Sequence, residues 1–317
     1  MVDASRLTCI YIAGDARSGG TLLGQMLNRL DDFVYAGELR LIWREAFADN
    51  DPCGCGQRFR DCQFWRKVVE GVFGGFDRVD LAALSKSHLS VARERFTPLL
   101  ILFNRAPSEF FSTGQRRAFE DVMLRLCRAI VQVSGRKVIV DSSRDPSQAL
   151  VLARLPQVEL KVIHLVRDSR AVAFSYSRKK LQFDTGSRRK YLRRNGTIGS
   201  AIEWDWRNLW ASGISRLRRN GIKYALLRYE DLIRTPAEAV KETLARLGMG
   251  DRDLSFIKGT TVELAGNHAI SGNTVKFNSG AVTLRLDDEW RHAMAQRDRR
   301  MVTLLTRPLM RHFGYAP

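Results

Sequence analysis

The chain has 317 residues, 44% hydrophobic and 27% charged, which is the composition of a globular protein with a sizeable core and excludes a disordered one. Its formal net charge of +18 attracts anions, among which nucleic acid, acidic lipid and small polyanions all qualify. The absence of an apolar membrane span or signal core, and an odd count of five cysteines, predict a cytoplasmic protein without a disulfide framework.

The first predicted elements are a strand, a glycine-rich turn and a helix. An apolar run over 10–12 leads into the turn at 14–21, and a helical apolar pattern follows over 22–30. This order is typical of a loop that binds phosphate through its backbone N–H groups and the helix N-terminus. The spacing nearly matches a Walker A loop, but Gly20 occupies the lysine position and Arg17 is the strong cation of the turn. The loop is therefore predicted to bind a phosphate-like group without ordinary NTP chemistry.

The next hundred residues are predicted to be mostly helical. The elements are, in order, a strand over 33–38, a helix to residue 48, a Gly/Cys loop over 49–62 and helices over 63–134, with a basic segment at 93–105 and an amphipathic run at 119–133.

Three cysteines, Cys53, Cys55 and Cys62, cluster in the Gly/Cys loop. Zinc would require four ligands, and the nearest histidine in sequence is His88. A loop staple or buried thiols is the favoured interpretation, and no metal site is predicted.

The second half alternates strands and helices, which predicts a parallel sheet flanked by helices, an α/β fold. The predicted elements are strands at 137–140, 160–166 and 223–227, helices from 146, at 171–181, 197–219 and 235–248 (the last with a capping-box-like start), a basic loop at 182–196, a loop at 259–286 and a final helix from about 287 that Pro308 interrupts. Ligands of such sheets bind beyond the carboxyl ends of the strands. The loops at those ends carry Arg17, Glu38, Arg144, Arg167 and Tyr229.

Two of these loops carry a recognisable pattern. Residues 17–21 read RSGGT, and residues 167–175 read RDSRAVAFS, with a serine eight positions after Arg167. In both, the chain resembles sulfotransferases that use 3′-phosphoadenosine 5′-phosphosulfate (PAPS), especially bacterial enzymes and the tyrosylprotein and carbohydrate branch. The resemblance continues at 141–146, 229–232 and 268–277. It implies a single domain over 1–317 with a P-loop-like sulfotransferase fold and a mainly helical insertion at about 49–134.

The resemblance also implies roles for individual residues. Arg17 and the amides of Ser18, Gly19, Gly20 and Thr21 would hold the phosphosulfate. The 3′-phosphate would contact Arg167 and Ser175, with Tyr229 and Lys276 also in the donor site. Arg144 would touch the leaving group, and Glu38 would be the general base. The chain departs from the family pattern at Gly20, which replaces a hydroxyl residue, at Arg144, which replaces a lysine, and at Lys276, which replaces an arginine. The product would be adenosine 3′,5′-bisphosphate.

Several residues have a second interpretation. Glu38 could be a solvated residue at a helix N-terminus, which the helix dipole favours. His164 lies in a buried strand and is predicted to be a core residue, while His88 and His268 are weaker alternatives for the base. Tryptophans 204, 206 and 210 could face an aromatic or sugar acceptor, although core packing is favoured.

Two other functions compete with sulfuryl transfer. A nucleotide kinase or NTPase would need a lysine at the position that Gly20 occupies in this chain, so this function is disfavoured. A nucleic-acid-binding or nucleotide-binding protein would use the basic run at 188–194, but no recognition motif accompanies it, so no specific nucleic acid is expected. The acceptor is predicted to be a hydroxyl of a small molecule, glycan or peptide, with its pocket shaped by 49–134 and 182–200. The oligomeric state, a homodimer included, is left open.

Overall fold

The structure is a computed structural model that describes residues 6–91, 113–186, 188–214 and 221–316. The strands in these ranges are β1 (Leu7–Ala13), β2 (Phe33–Gly37), β3 (Val138–Arg144), β4 (Val158–Val166), β5 (Leu181–Asp184), β6 (Arg189–Tyr191), β7 (Lys223–Arg228), β8 (Ile257–Lys258), β9 (Thr261–Leu264) and β10 (Gly280–Thr283). The α-helices are α1 (Gly20–Leu27), α2 (Gln63–Phe73), α3 (Leu81–Val91), α4 (Thr113–Ser134), α5 (Pro146–Ala153), α6 (Ser169–Ser177), α7 (Thr197–Ile214), α8 (Tyr229–Arg234), α9 (Pro236–Arg246), α10 (Trp290–Ala293) and α11 (Gln296–His312).

Five strands form a parallel sheet in the order β2-β3-β1-β4-β7. Helices cover both faces, so the central strands are buried on both sides and consist of nearly continuous apolar runs. One apolar layer includes residues of α2 and α4, and the opposite layer includes residues of α1 and α9. The predicted α/β fold with a central parallel sheet is confirmed, and the carboxyl ends of β1 to β4 meet at one edge.

The segment after β2 is not the α-helix that its sequence predicts. A short 3₁₀ turn at Leu39–Leu41 leads into a π-helical segment at Ile42–Ala48. Wide helical turns of this kind are rare in proteins, and those that occur often lie at functional sites. Here the widened turns carry Arg44 and Glu45 at the edge of a cavity described below.

Two predicted loops contain sheet structure instead. Strands β5 and β6 pair as a hairpin within the predicted basic loop, and α6 ends at Ser177, earlier than predicted. Strands β9 and β10, within the predicted loop at 259–286, form a small antiparallel sheet with β8, which lies just before it. These strands are two to four residues long, too short to give a clear alternating pattern.

The C-terminal helix also differs from its prediction. Pro308 does not interrupt it, and α11 continues through this residue to His312. Proline removes one backbone hydrogen bond from a helix interior. Packing offsets this loss: Val302, Thr306 and Met310 are buried, and the Thr306 hydroxyl lies 2.8 Å from the hydroxyl of Ser169 on α6. The predicted capping box at Thr235 is wrong too, since its side chain makes no cap hydrogen bond and instead donates to the Asp231 carbonyl.

Some predicted features lie outside the described residues, namely the basic segment at 93–105 and the end of the predicted helix at 197–219. Among the helices that the structure describes, none has the length and apolar character needed to cross a membrane.

Candidate active site

Two adjoining cavities open at the carboxyl edge of the sheet. The first, here called the loop cavity, has a volume of about 420 Å³ and is bordered by the glycine-rich turn after β1. The second, here called the charged cavity, has a volume of about 280 Å³ and lies beside the π-helical segment. The two share six lining residues, which are Arg17, Thr21, Glu38, Arg144, Leu192 and Asn273. A group bound in one cavity would therefore meet a group bound in the other at these residues.

The glycine-rich turn has the backbone shape of an anion-binding loop. Arg17 and Gly19 both have positive φ, 67° and 94°. A Cβ on Gly19 would lie 2.7 Å from the Tyr229 ring, so only glycine fits this position without a shift. Helix α1 begins directly afterwards at Gly20, and its first N–H groups have no carbonyl within the helix to bind. The turn and helix end are thus suited to an anion in the loop cavity.

Arg167 also lines the loop cavity and follows β4 immediately. It is 5% exposed, and its guanidinium stacks 4.5 Å above the Tyr229 ring. It donates to the Arg17 carbonyl at 3.0 Å and lies 3.2 Å from the Asp287 carboxylate. Its Nε is buried without a hydrogen-bond partner among the described residues. This arrangement leaves a donor for an anionic ligand, and Ser175 on α6 lines the same cavity.

Lys180 is a further cation of the loop cavity that no sequence motif predicts. Lys180 follows α6 and lies 3.8 Å from the Asp287 carboxylate. Partial burial works against the charge of Asp287, but Arg167 beside it outweighs this effect and holds the pKa of Asp287 below its ordinary value. No motif signals Lys180, because it falls in the stretch predicted as helix.

Glu38 and Arg144 form the ion pair at the junction of the two cavities. The Arg144 Nη2 lies 2.5 Å from Glu38 Oε2, and the Glu38 side chain is 6% exposed. Burial disfavours the charge of Arg144, but Glu38 outweighs it, and the pKa of Arg144 is raised. Arg144 has a φ of 64°, unusual for a residue with a side chain, so its position is held by its surroundings. A buried carboxylate and a guanidinium thus face the place where two ligands would meet.

The three residues before Arg144 hold the backbone around Glu38. Asp141 accepts from the Leu39 N–H at 3.3 Å, and the Ser143 hydroxyl accepts from the Arg40 N–H at 2.9 Å. The Ser142 hydroxyl donates to the Gly37 carbonyl at 3.3 Å. Burial raises the pKa of Asp141 to about 7. The end of β3 therefore fixes both neighbours of Glu38 and supplies its arginine partner.

The charged cavity is lined mainly by ionic side chains of both signs. The cations are Arg17, Arg40, Arg44, Arg144, Arg193 and Arg207, and the carboxylates are Glu38, Glu45 and Glu203. Glu45 accepts from the Ser271 hydroxyl at 2.5 Å and lies 3.3 Å from Lys190. Such a lining suits a ligand with many hydroxyl or anionic groups better than an apolar one.

Two predicted donor-site residues do not border the cavities themselves. Neither Lys276 nor Ser18 lines either cavity in the described part of the chain. Lys276 is 1% exposed, and its ammonium donates to the Pro52 carbonyl at 2.6 Å. Its neighbour Asn273 borders both cavities instead, held by a hydrogen bond from the Val275 N–H at 2.9 Å.

No metal site is predicted at the three cysteines, whose nearest histidine in sequence is His88, but the structure brings a different histidine to them. His268 reaches them from the far end of the chain, and the ligand atoms of Cys53, Cys55, Cys62 and His268 all lie within 4.8 Å of one another. No local pattern in the sequence indicates this contact, because 206 positions separate Cys62 from His268.

His164 and Trp204 lie in the core, whereas Trp206 is partly exposed. His164 is a fully buried core residue, as predicted, with its ring nitrogens 2.7 Å from the Tyr224 hydroxyl and 2.9 Å from Asn208 Oδ1. Trp204 is also buried, and its indole donates to the Arg167 carbonyl at 2.9 Å. Trp206 is 39% exposed and packs edge-to-face on Trp210. None of the three tryptophans lines the two cavities, as far as the described residues go.

The basic run at 188–194 is largely occupied by internal ion pairs. Arg188 and Lys190 contact Asp51 at 2.7 and 2.6 Å, and Arg189 contacts Asp184 at 2.6 Å. Nucleic-acid binding requires cations that are available to phosphates. These pairs therefore weaken the nucleic-acid interpretation.

The parallel sheet has a phosphate-type loop after β1 and cations after β3 and β4, and this loop lacks the lysine of an NTPase at Gly20. A profile of the Sulfotransferase family matches residues 9–253, and the chain belongs to this family. It is a sulfotransferase.

Individual relatives agree with this assignment. The chain is 27% identical to Carbohydrate sulfotransferase 1 of Danio rerio, across 89% of this chain and 71% of that protein. It is 32% identical to Carbohydrate sulfotransferase 1 of Homo sapiens over 136 residues, which are 40% of this chain and 32% of that protein. Among solved structures, the sulfotransferase domain from the Synechococcus PCC 7002 olefin synthase has a TM-score of 0.51 at 18% identity, covering 100% of this chain and 98% of that one. That structure supports the fold alone.

Proposed function

We propose that the enzyme transfers a sulfuryl group from PAPS to a hydroxyl acceptor, with the donor in the loop cavity and the acceptor in the charged cavity. The observation that carries this proposal is the Glu38–Arg144 pair, which lines both cavities at once.

The residues of the loop cavity fit a donor with two phosphate groups. Among the described residues, its lining cations are Arg17, Arg144, Arg167 and Lys180, and its one lining carboxylate is Glu38. The turn at 14–21 would hold the phosphosulfate through its amides, with Arg17 and Thr21 beside it. The unpartnered Nε of Arg167 and the nearby Ser175 suit the 3′-phosphate. Tyr229 would hold Arg167 in position by stacking its ring on the guanidinium, and would not bind phosphate itself.

The transfer proposed here needs one proton acceptor and one site of charge stabilisation. The acceptor oxygen attacks sulfur while the bond from sulfur to the phosphate oxygen breaks. The hydroxyl proton passes to Glu38, which faces the acceptor cavity. Negative charge grows on the departing bisphosphate, where Arg144 and the amides of the turn stabilise it.

The acceptor is proposed to be a carbohydrate hydroxyl. The charged cavity offers guanidinium and carboxylate groups that can bind several hydroxyls or an existing sulfate. The names of the relatives from Danio rerio and Homo sapiens support the same class of acceptor. A small alcohol or a peptide side chain are the other acceptors that the test must compare.

Two measurements test this function. Calorimetry should find adenosine 3′,5′-bisphosphate binding more tightly than ATP, because only the former places a phosphate at Arg167. Equal affinities would contradict the donor assignment. An acceptor screen with radiolabelled PAPS, read by mass spectrometry, should label polar glycans in preference to small alcohols, phenols and tyrosine peptides. Preferred labelling of phenols would contradict the carbohydrate assignment while leaving the donor intact.

A further inference from the structure

Apart from both cavities, the structure brings together three thiols and one imidazole. This Cys3His cluster consists of Cys53, Cys55, Cys62 and His268. Cys55 Sγ lies 3.6 Å from Cys62 Sγ, and His268 Nδ1 lies 3.3 Å from Cys62 Sγ and 3.7 Å from Cys53 Sγ. The same ring nitrogen therefore faces two of the sulfurs.

These distances match those of a tetrahedral zinc site. Zinc binds sulfur at about 2.3 Å and histidine nitrogen at about 2.05 Å, so tetrahedral angles separate two sulfurs by about 3.8 Å and a sulfur from a nitrogen by about 3.6 Å. A disulfide is a poorer description, because its sulfurs would have to lie about 2.05 Å apart. The donor set of three cysteines and one histidine is also typical of structural zinc.

The surrounding backbone holds the four groups in place. Gly54 donates to the Ala269 carbonyl at 2.9 Å, and a Cβ on Gly54 would lie 2.0 Å from Asn267 Oδ1. The His268 ring stacks on Phe64 at 4.7 Å, and its carbonyl accepts from the Trp65 indole at 2.8 Å. The loop at 53–62 and the segment at 267–269 are thus built to approach each other closely.

A buried cation beside the cluster completes its charge balance. Zinc with three thiolates and a neutral imidazole has a net charge of −1. Lys276 is 1% exposed, donates to the carbonyl of Pro52 and lies within electrostatic reach of Cys53. The carboxylates of Glu45 and Asp51 also act on this buried ammonium, and the zinc tris-thiolate would add to their negative charge.

We propose that the Cys3His cluster binds one structural zinc ion. Four protein ligands leave no open coordination position, so the ion would not take part in the reaction. It would join the Gly/Cys loop to the segment whose next residues border the active site. Ile270 pairs with β2, where its carbonyl accepts from the Glu38 N–H at 3.1 Å, and Asn273 lines both cavities. The proposal does not depend on the identity of the donor or acceptor.

The first test measures metal in the whole protein, purified without a metal-affinity tag. Elemental analysis should find one zinc per chain, and cobalt substitution should give the intense absorption of tetrahedral cobalt with thiolate ligands. The proposal would be overturned if the protein bound no zinc after incubation with the metal and all of its thiols then reacted with an alkylating agent. It would also be overturned by a disulfide between two of the cluster cysteines, or by cobalt bound without the thiolate charge-transfer band.

Variants then assign the ligands. His268→Ala and Cys62→Ser should lose zinc, whereas Cys127→Ala, which removes a buried thiol outside the cluster, should retain it. A chelator should lower the melting temperature of the parent protein and of Cys127→Ala. It should not lower that of any ligand variant that folds. Full zinc content in His268→Ala or Cys62→Ser would contradict the assignment. If both variants fail to fold, the cobalt spectrum of the parent protein decides.

Discussion

In the proposed reaction, the proton acceptor is the buried carboxylate of Glu38. Substituting this residue distinguishes a general base from a residue that only pairs with Arg144. Glu38→Gln retains the size of the side chain but cannot take up the acceptor proton. Single-turnover rates should fall by ~10²–10⁴-fold, while the Kd for the bisphosphate changes little. The measurement requires an alcohol acceptor, because an acidic phenol needs less help in losing its proton.

The matched control is Glu45→Gln, a second buried carboxylate that lines the charged cavity but not the loop cavity. It should alter the KM for the acceptor more than the rate of transfer. Full single-turnover activity in Glu38→Gln would reduce Glu38 to a partner of Arg144.

Arg167 allows a similar test of the donor site. Arg167→Ala should weaken binding of adenosine 3′,5′-bisphosphate by roughly 1.5–3 kcal/mol, or about 10- to 150-fold in Kd, the scale of a charge-assisted hydrogen bond. Calorimetry measures this directly. Arg178→Ala is the control, because Arg178 pairs with Glu289 at the surface and does not line the loop cavity. Equal affinity in Arg167→Ala and the parent protein would remove Arg167 from the donor site.

At the scale of elements, two adjacent glycines of the phosphate-type loop should differ in how much a substitution destabilises the protein. A Cβ on Gly20 would be 3.8 Å from Ile12 and 3.9 Å from Arg144, which are ordinary contacts, and its φ is not positive. Gly20→Ser should therefore fold normally and retain bisphosphate binding, with a change in stability within about 0.5 kcal/mol.

Gly19→Ala should behave differently, because Gly19 has positive φ and no room beside Tyr229. It should destabilise the protein by about 1–3 kcal/mol and disturb the loop. Thermal unfolding and calorimetry of both variants test this contrast. Equal losses in the two variants would contradict the conformation of the loop.

The elements also explain what the sequence could reveal. Buried strands such as β3 and β4 are predictable because apolar runs with polar residues at their carboxyl ends are local signals. The carboxyl-edge cluster of Arg17, Glu38, Arg144 and Arg167 follows from the rule that parallel strands end together. The π-helical segment after Glu38 has no such signal, and one of its contacts, the hydrogen bond from the Ser271 hydroxyl to Glu45, comes from the distant late segment.

Long-range contacts explain the remaining differences. His268 joins cysteines about 200 positions away, and Lys276, whose position in the late segment suggested phosphate binding, is drawn into the interior beside them. Lys180 enters the loop cavity only because α6 ends before it. None of these placements has a periodic or local pattern in the sequence.

At the scale of the whole molecule, buried titratable groups control how stability depends on pH. Burial lowers the pKa of His164 to about 4, from an unfolded value near 6.5. The unfolded chain thus binds a proton between these values that the folded chain does not. The stability associated with neutral His164 is complete above pH 6.5 and is lost as the pH falls towards 4. Burial acts in the opposite direction on Asp15, raising its pKa to about 6. Stability associated with protonated Asp15 is therefore lost as the pH rises through 6.

Because these two effects oppose each other, only a comparison of variants isolates the histidine. His164→Gln retains groups that can hydrogen-bond Tyr224 and Asn208 but does not titrate. Between pH 6.5 and 4, the free energy of unfolding of the parent protein should fall by about 3 kcal/mol more than that of His164→Gln. Urea titrations at several pH values measure this difference. His292→Gln, which removes an exposed histidine, should follow the parent curve. If His164→Gln follows the parent curve as well, the pKa of His164 is not lowered in the folded protein, and its ring is not held neutral between Tyr224 and Asn208.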